Sequence, residues 1–560
     1  MPHHSTPNTY LQSSGRIRQG APDNRSNGWR YASSFYPSQL ESETRSPNSG
    51  RNIIPGPIAI LDDYSLLNVF YLYRQACLEC NDDTAYVSER ITGGGGWARE
   101  HWWCMLVRVC RKWREVIFGS PSYLRLCIVY TNGTPVADML AHPPFLKLGL
   151  PLAIEYIHRG LDGHIPPKIE EEIALALQHR HRLRAIRLHA PYSETVFRVL
   201  DGEFPILEGL YLKIPNGGNR NWEPPRTFQT PHLRQLVLDN IVCPLRSQLL
   251  APAAGLVSLS LTRICGLHKC SPNDLLQRLS LMPRLETLRI GFGVFSEDDA
   301  AEMQMMRMPI RTDVNLPYLR RFLLNGISTY IGTLLPHIST PRLEKLQIHI
   351  SNWKTSSIPY TLQLMNNSKK VVSHSAYLIF LDKGVFVAAN LSDGTRWSTF
   401  SMSLHGNDFI WQVLAIAKFF YIHRTCFFTT KYLTIISRMP ASRPPHLGPD
   451  RVQWRTIFGQ LLNVDSLIVY DGPHGEISRS FHLNHGESPM VLFPRLKQLS
   501  IHTSTRYHES YTPFINSRKN VGHPVRLVRL GNGPSALHAA ITCEVWEAQW
   551  LYGSFRLRLA

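Results

Sequence analysis

The pattern of apolar and polar positions divides the chain into stretches of different character. Residues 1–52 are rich in Ser, Asn, Pro, Arg and Gly and poor in aliphatic side chains. They cannot bury enough surface to offset the entropy of ordering, so a disordered arm is predicted there. From Ile53 the spacing becomes helical. Leu66, Leu67, Phe70 and Tyr73 recur at i, i+1, i+4 and i+7, and Asp62 or Asp63 is placed to cap the free N–H groups at the start. Four consecutive glycines, Gly93 to Gly96, mark a loop, because neither helix nor strand tolerates that entropy cost. Trp103, Leu106, Val109, Cys110, Trp113 and Ile117 then recur every three or four residues, with Arg108, Arg111, Lys112 and Arg114 largely on other faces. One amphipathic basic helix over about 99–118 is expected, ended by Gly119-Ser120-Pro121, with an extended segment over 124–130.

Beyond that point one pattern repeats: apolar-x-x-apolar-x-apolar. Its copies are Leu183-Ile186-Leu188, Leu207-Leu210-Leu212, Leu233-Leu236-Leu238, Leu256-Leu259-Leu261 and Leu285-Leu288-Ile290. They continue as Leu319-Phe322-Leu324, Leu343-Leu346-Ile348, Val464-Leu467-Val469 and Leu496-Leu499-Ile501. From Leu183 to Leu343 the steps are 24, 26, 23, 29, 34 and 24 residues. Single copies carry little weight. The added signal is Pro205, Pro231, Pro283, Pro317, Pro341 and Pro494, each two residues before its copy. With 39 prolines in 560 residues, chance would put one before about one copy in nine. The expected unit is a strand opened by proline, which also ends the preceding helix, with the alternating Leu side chains in a core and the polar residues between them facing out. No such unit buries its apolar face alone, so neighbours must stack. A step of this length fits a strand plus a helix, the leucine-rich-repeat period.

Between Ile350 and Arg451 the repeat cannot be placed. Residues 377–390 and 397–404 read as strands, 409–420 as a helix, and Tyr432 to Ile436 as a further repeat strand. After Ser504 the pattern is lost, and Ala536 to Trp550 reads as a helix.

Composition adds two constraints. Lys plus Arg is 60 against 42 for Asp plus Glu, a net charge of +18, which suggests an acidic partner. Yet only 18% of residues are charged, so the excess partly reflects few carboxylates and weakens a nucleic-acid reading. Ten cysteines are too sparse for a disulfide framework in a chain of this length. Met1 to Gly50 contain no apolar run of a signal peptide. The most apolar stretch, Phe409 to Phe428, is interrupted by Gln412, Lys418, His423 and Arg424 and reads as a buried helix, not a membrane span. The expected setting is soluble, cytoplasmic or nuclear.

Catalytic motifs are missing. There is no dinucleotide or phosphate-loop glycine signature, no Gly-x-Ser-x-Gly elbow and no His-Glu-x-x-His. Cys77, Cys80, His101 and Cys104 have a zinc-like spacing, but Leu78-Glu79 and Trp102-Trp103 stand where knuckles need turn-forming residues; a structural helix is favoured and no metal is assigned. His179 and His181 fit a solvated basic connector. Trp102-Trp103 fits partial burial, with Trp103 in the core and Trp102 partly exposed, better than a base-stacking platform.

The stretch from about Pro57 to Leu126 resembles an F-box, in particular the F-box-like domains of mushroom-forming fungi. Ile60 to Phe70 looks like the family's opening Leu-Pro-x-x-x-Leu-Leu-x-Ile-Phe, and Trp103 to Arg114 is similar to its Leu-x-x-Val-Cys-Arg-x-Trp-Arg core. Thr131-Asn132-Gly133-Thr134-Pro135 also looks typical of the fungal group. Leu61 stands where the family has proline, and an insertion of about 25 residues over 76–100 separates the two elements. The resemblance implies an α/β chain with a short all-helical F-box module (53–130) and an irregular leucine-rich-repeat-like array (131–505), followed by a cap or tail (506–560). It implies a non-catalytic substrate receptor of a cullin-RING ubiquitin ligase without cofactors. Leu61, Leu66, Leu67, Phe70, Leu106, Val109, Cys110 and Trp113 would dock the Skp-type adaptor. The array would hold a target protein through polar strand residues such as Arg234, Gln235, Glu286, Arg289, Glu344 and Lys345. The rivals are a basic nucleic-acid or chromatin binder and an enzyme housed in 350–451.

Overall fold

The computed structural model describes residues 61–79, 102–131, 136–141, 149–158, 164–191, 193–215, 224–241, 245, 247–250, 253–264, 270–292, 310–350, 372–392, 397–406, 409–437, 451–470, 474–484, 486–502 and 507–530. The predicted disordered arm, the four-glycine loop and the helix expected over 536–550 lie outside these residues. The chain divides into two compact units, Met1–Leu61 and Asp62–Ala560, and of the first only Leu61 is described.

The second unit is mixed α/β. It opens with helices α1 (Asp63–Glu79), α2 (Trp102–Leu106) and α3 (Arg111–Gly119). Strands β1 (Ile128–Tyr130), β2 (Leu152–Ile157), β3 (Leu183–His189), β4 (Gly209–Lys213), β5 (Gln235–Asp239), β6 (Ser258–Ile264) and β7 (Thr287–Phe292) follow. They continue as β8 (Val314–Asn315), β9 (Arg321–Gly326), β10 (Ile338–Ser339), β11 (Lys345–Ile350), β12 (Val372–Leu381), β13 (Gly384–Ser392) and β14 (Trp397–His405). The last are β15 (Tyr432–Ser437), β16 (Ser466–Tyr470), β17 (Gln498–His502) and β18 (Arg526–Leu530). Among the described residues sixteen of these form one sheet, ordered β1-β2-β3-β4-β5-β6-β7-β9-β11-β14-β13-β12-β15-β16-β17-β18, while β8 and β10 pair separately. Within the large sheet only the β12–β13 and β13–β14 pairs are antiparallel.

Helices connect many of the strands: α4 (Val136–Ala141), α5 (Pro167–Gln178), α6 (Glu194–Val199), α7 (Pro272–Leu279), α8 (Ser328–Leu334), α9 (Phe409–Ile422), α10 (Arg424–Phe427), α11 (Arg451–Phe458), α12 (His474–Ser480) and α13 (Thr512–Asn520). They pack on one face of the sheet. Phe400 of β14 stacks on Phe419 of α9 at 5.8 Å, and Phe380 of β12 meets Phe409 of α9 edge-on at 5.2 Å. Among the described residues no helix is long and apolar enough to cross a membrane.

All nine sequence copies fall on parallel strands, and their second and third apolar residues align across the sheet. The proline does something other than end a helix. It occupies the second position of a tight turn closed by the N–H of the first Leu. Leu207, Leu233, Leu285, Leu319, Leu343 and Leu496 donate to the carbonyls of Phe204, Thr230, Met282, Leu316, Thr340 and Phe493. That position needs no N–H and a φ that the pyrrolidine ring already fixes. The two residues after Leu233, Leu285, Leu319, Leu343 and Leu496 then donate to one carbonyl of the preceding turn, as Arg234 and Gln235 do to Glu208. The repeat is thus a turn-plus-strand, and sheet register is handed from turn to turn.

The block that resisted placement is a meander inserted into this series. Residues 377–390, read as one strand, are two, β12 and β13, reversing at Asp382-Lys383. Gly384 is needed there because a Cβ would meet the Leu404 carbonyl oxygen at 2.5 Å. Three strands is an odd number, so β14 runs parallel to β11 and β12 parallel to β15, and the array resumes. Ahead of β15 Thr430 takes the first apolar place, donating its N–H to the Phe427 carbonyl at 3.0 Å. The series also continues beyond Ser504, where the pattern was lost, through α13 to β18, which pairs with β17.

The expectation that polar residues between the leucines face outward holds for β4 and β5, whose burial alternates. It fails in β9 and β11, where only the first residue of each strand is more than slightly exposed. Gln347, His349 and Asn325 are buried with the leucines.

Candidate functional site

Two surfaces stand out, one on the leading helices and one on the sheet face away from the connecting helices. In α1 the capping residue is Asp62: its carboxylate accepts from Ser65 N at 2.8 Å and from Ser65 Oγ at 3.0 Å. Those hydrogen bonds hold the Asp62 carboxyl below its usual pKa. Leu66, Phe70 and Arg74, spaced at i, i+4 and i+8, form the buried stripe. Phe70 packs edge-on against Trp113 of α3 at 5.0 Å. Leu66 and Phe70, expected as adaptor contacts, are therefore interior residues that tie α1 to α3. Leu61, Leu67, Leu106 and Trp113 are half-buried.

The single helix expected over 99–118 is interrupted. α2 ends at Leu106, a turn spans 107–109, and Cys110 caps α3 with extended backbone (φ −158°, ψ 172°), its sulfur accepting from Trp113 N at 3.5 Å. The β-branched Val107 and Val109 lower helix propensity at this point. The break lets Trp102 and Trp103 bury in α2 while Val116 and Ile117 bury in α3. With both tryptophans buried, neither offers a stacking platform, and the expected exposure of Trp102 is corrected. Cys110 is exposed.

What the sequence reading missed is the other side of α1. Val69, Leu72 and Ala76, at i, i+3 and i+7, lie opposite the buried stripe and are exposed, Leu72 to 65%. Met105 (65%) and Val109 (59%) add exposed apolar side chains from α2 and the following turn. The same spacing rule that found Leu66 and Phe70 contains this second stripe. A helix apolar on two faces has one face left over after its own core is packed.

On the sheet, the residues at the starts of the strands run in alternating charge, Arg184, Glu208 and Arg234, then, past the uncharged Val257, Glu286, Arg320 and Glu344, and later Lys431, Asp465 and Lys497. Arg184 meets Glu208 at 3.3 Å, Arg320 meets Glu344 at 3.9 Å, and Lys497 meets Asp465 at 3.6 Å. Arg234, Glu286 and Glu344, expected as target contacts, belong to this edge line. Gln235, Arg289 and Lys345 lie in the strands themselves, alternating with the buried leucines. On the same face Glu155 meets Arg187 at 3.6 Å, and the Arg187 guanidinium sits 4.8 Å from the Tyr211 ring centre. Asp239 takes Arg263 at 2.6 Å and Lys213 at 3.8 Å. Burial, then Lys213, pushes His189 down to about 4.

Further along, β12, β13, β15 and β16 turn this face apolar, with Ile379, Phe386, Ala388, Ile436 and Tyr470 in one cluster. Between the two zones His349 Nδ1 lies 2.6 Å from Ser403 Oγ. That is a nucleophile–base distance, but no carboxylate figures among the groups acting on His349, and the pair is buried in mid-sheet. It serves as a satisfied polar contact. Among the described residues no three His, Cys, Asp or Glu side chains are grouped to hold a metal. Cys80 and His101 of the zinc-like pairs lie outside the described residues, and burial pushes the Cys104 thiol up to about 12.

The buried histidines carry a pH signature. Burial, with His405 nearby, lowers His349 to about 3, and burial lowers His405 to about 4. The unfolded chain protonates near 6.5, so the stability tied to neutral imidazoles is complete above that pH and is lost as pH falls toward the folded values. At pH 5 the loss is about 2 kcal/mol per histidine. Thermal melts at pH 7 and pH 5 should show it, with a smaller drop in His349→Asn. An unchanged melting midpoint would contradict the assignment.

No known family model matches the chain, and no curated protein matches its sequence.

Proposed function

We propose that the chain is a non-catalytic substrate receptor of a cullin-RING ubiquitin ligase, with its leading helices as an F-box-like module and its sheet as a leucine-rich-repeat-like target-binding array. The observation that carries this reading is the second apolar stripe of α1. Val69, Leu72 and Ala76, exposed opposite the Leu66–Phe70 core, form the i, i+3, i+7 row that a helix presents to a partner's groove. Met105 of α2 and Val109 of the turn after it are exposed as well. The resemblance of Ile60–Phe70 and Trp103–Arg114 to the two F-box elements supplies the identity of that partner, a Skp-type adaptor. In this reading the buried Leu66 and Phe70 hold the module together, and docking passes to the exposed residues. The reaction belongs to other subunits of the ligase.

The nucleic-acid alternative predicts an unbroken basic stripe. The edge line instead alternates sign from strand to strand, which favours the receptor reading.

The test is capture of the full chain by an immobilised Skp-type adaptor. Wild type should be retained; Leu72→Asp and Val109→Asp, which alter exposed side chains, should fold normally and fall at least about tenfold in capture, since a buried unpaired carboxylate costs several kcal/mol at an interface. Failure of the wild type to bind would overturn the proposal.

A further inference from the structure

We propose that the outer face of α9 and α10 is a membrane-association site, docking the chain on the surface of a bilayer that contains anionic lipid. α9 carries a single charged side chain, Lys418, in 14 residues. A helix so apolar is expected to be covered on every side. Its inner side packs on the sheet through Phe409 and Phe419. Yet one face stays open: Leu414, Lys418 and Tyr421, at i, i+4 and i+7, are exposed. At the end of that row Arg424 of α10 lies 6.0 Å from the Tyr421 ring centre, and Phe428 stands one turn further on. Leu414, Tyr421 and Phe428 are 48%, 60% and 53% exposed. Large apolar side chains grouped in this way on the outside of a fold mark an interaction surface.

Charge decides what covers it. Residues 409–437 contain no Asp or Glu. Among the described residues Lys418 and Arg424 meet no carboxylate, and the contact of Arg424 is the Tyr421 ring. Asp382, the residue after Leu381, belongs to the other end of α9, where Gln412 donates to the Leu381 and Gly406 carbonyls at 3.0 and 2.8 Å. An anionic leaflet attracts such cations, and each Lys or Arg near its surface adds to binding. A protein partner fits the row less well. Lys is depleted from the buried centre of protein interfaces, and here Lys418 sits between Leu414 and Tyr421. At a bilayer the lysine stem lies along the apolar surface with its ammonium among the headgroups, and tyrosine rings favour the same depth. The helix lies on the surface and does not cross it, because 14 residues fall short of the about 20 that a span needs. The site uses none of the residues of the ligase reading and does not depend on it.

The experiment is co-flotation of the full chain with vesicles of phosphatidylcholine alone, or of phosphatidylcholine and phosphatidylserine in equal parts, at low and high salt. The mixed vesicles should carry the chain, the neutral ones should carry much less, and salt should weaken binding. With a net charge of +18, other basic surfaces also attract anionic vesicles, so paired substitutions make the test local. Leu414→Ser with Tyr421→Ser and, separately, Lys418→Glu with Arg424→Glu should each weaken binding to mixed vesicles at least about tenfold. All four side chains are exposed, so circular dichroism should not change. If either pair unfolds, the single changes Leu414→Ser and Lys418→Gln carry the test. No binding to mixed vesicles, equal binding to both kinds, or full binding by the substituted chains overturns the proposal. So does a chain that ignores vesicles and self-associates in sedimentation velocity until Leu414 and Tyr421 are replaced, since the row then belongs to a second copy.

Discussion

Replacing Trp454 with alanine should lower the unfolding free energy by about 4 kcal/mol, because it is the largest fully buried side chain among the described residues. Trp454 of α11 is wholly buried. Its ring lies 5.5 Å from Phe380 of β12, 6.3 Å from Phe409 of α9 and 5.7 Å from Phe458 of its own helix. These contacts join three elements of different origin: the inserted meander, the helix that carries the chain back across it, and the first helix after the array resumes. Alanine removes the indole's transfer free energy and leaves a cavity that strands paired on both sides cannot collapse into. Trp454→Phe should recover most of the loss, because a phenyl ring still reaches Phe380 and the indole N–H has no hydrogen-bond partner among the described residues to forfeit. Denaturant melts followed by circular dichroism decide it. A loss below about 1 kcal/mol would mean that the meander is not anchored through this cluster.

Arg518→Met should cost about 3–5 kcal/mol for a different reason, the loss of a buried cation that serves backbone carbonyls. Arg518 of α13 is 1% exposed, and its guanidinium donates to the carbonyls of Pro489, Phe493, Pro494 and Leu496 at 3.1–3.4 Å. Those carbonyls belong to the turn that leads into β17, where Phe493 takes a left-handed backbone (φ 48°) ahead of Pro494. A planar fork of donors spans four acceptors at once, which an ammonium does not. Arg518→Lys should therefore rescue little of the loss. Full rescue by lysine, or neutrality of methionine, would show that charge or volume alone is what the site needs.

The two sites make plain which parts of the fold the sequence could disclose. The nine leucine copies were legible because one periodicity served one face: Leu236 and Leu238 are buried, while Gln235 is exposed and Val237 half-exposed. Where both faces are buried, as at Gln347 and His349, alternation ceases to report exposure. The meander hid for a related reason. β12 and β13 form a run of small and apolar residues on both faces, and only the Asp382-Lys383-Gly384 reversal separates them. Proline was a true marker with a different task, since turn closure needs its fixed φ as much as its missing N–H. The break at Cys110 carried no glycine or proline to announce it; it goes with the separate burial of Trp102 and Trp103 in α2 and of Val116 and Ile117 in α3. On α1 the strongest apolar spacing proved to be the interior, and the second, weaker stripe is the exposed one. The fold was thus readable wherever one periodicity met one environment. The exposed side of α1 needed the structure, because sequence does not say which of two apolar stripes is covered.

The +18 charge, with few carboxylates to balance it, resolves into parts that do different things. The edge line uses charge in alternation and largely cancels itself, and surface pairs of that kind contribute little stability each. Arg518, Arg455 and Arg451 are spent on backbone carbonyls and on Glu487, whose carboxyl is held below its usual pKa chiefly by the Arg455 hydrogen bond.

The most direct test of the account is hydrogen–deuterium exchange of the full chain with and without a Skp-type adaptor. The account predicts new protection confined to 61–79 and 102–119, with the strands of the sheet unchanged, and its loss in Leu72→Asp. No protection, or protection that falls on β3–β11 and leaves α1 as it was, would contradict it.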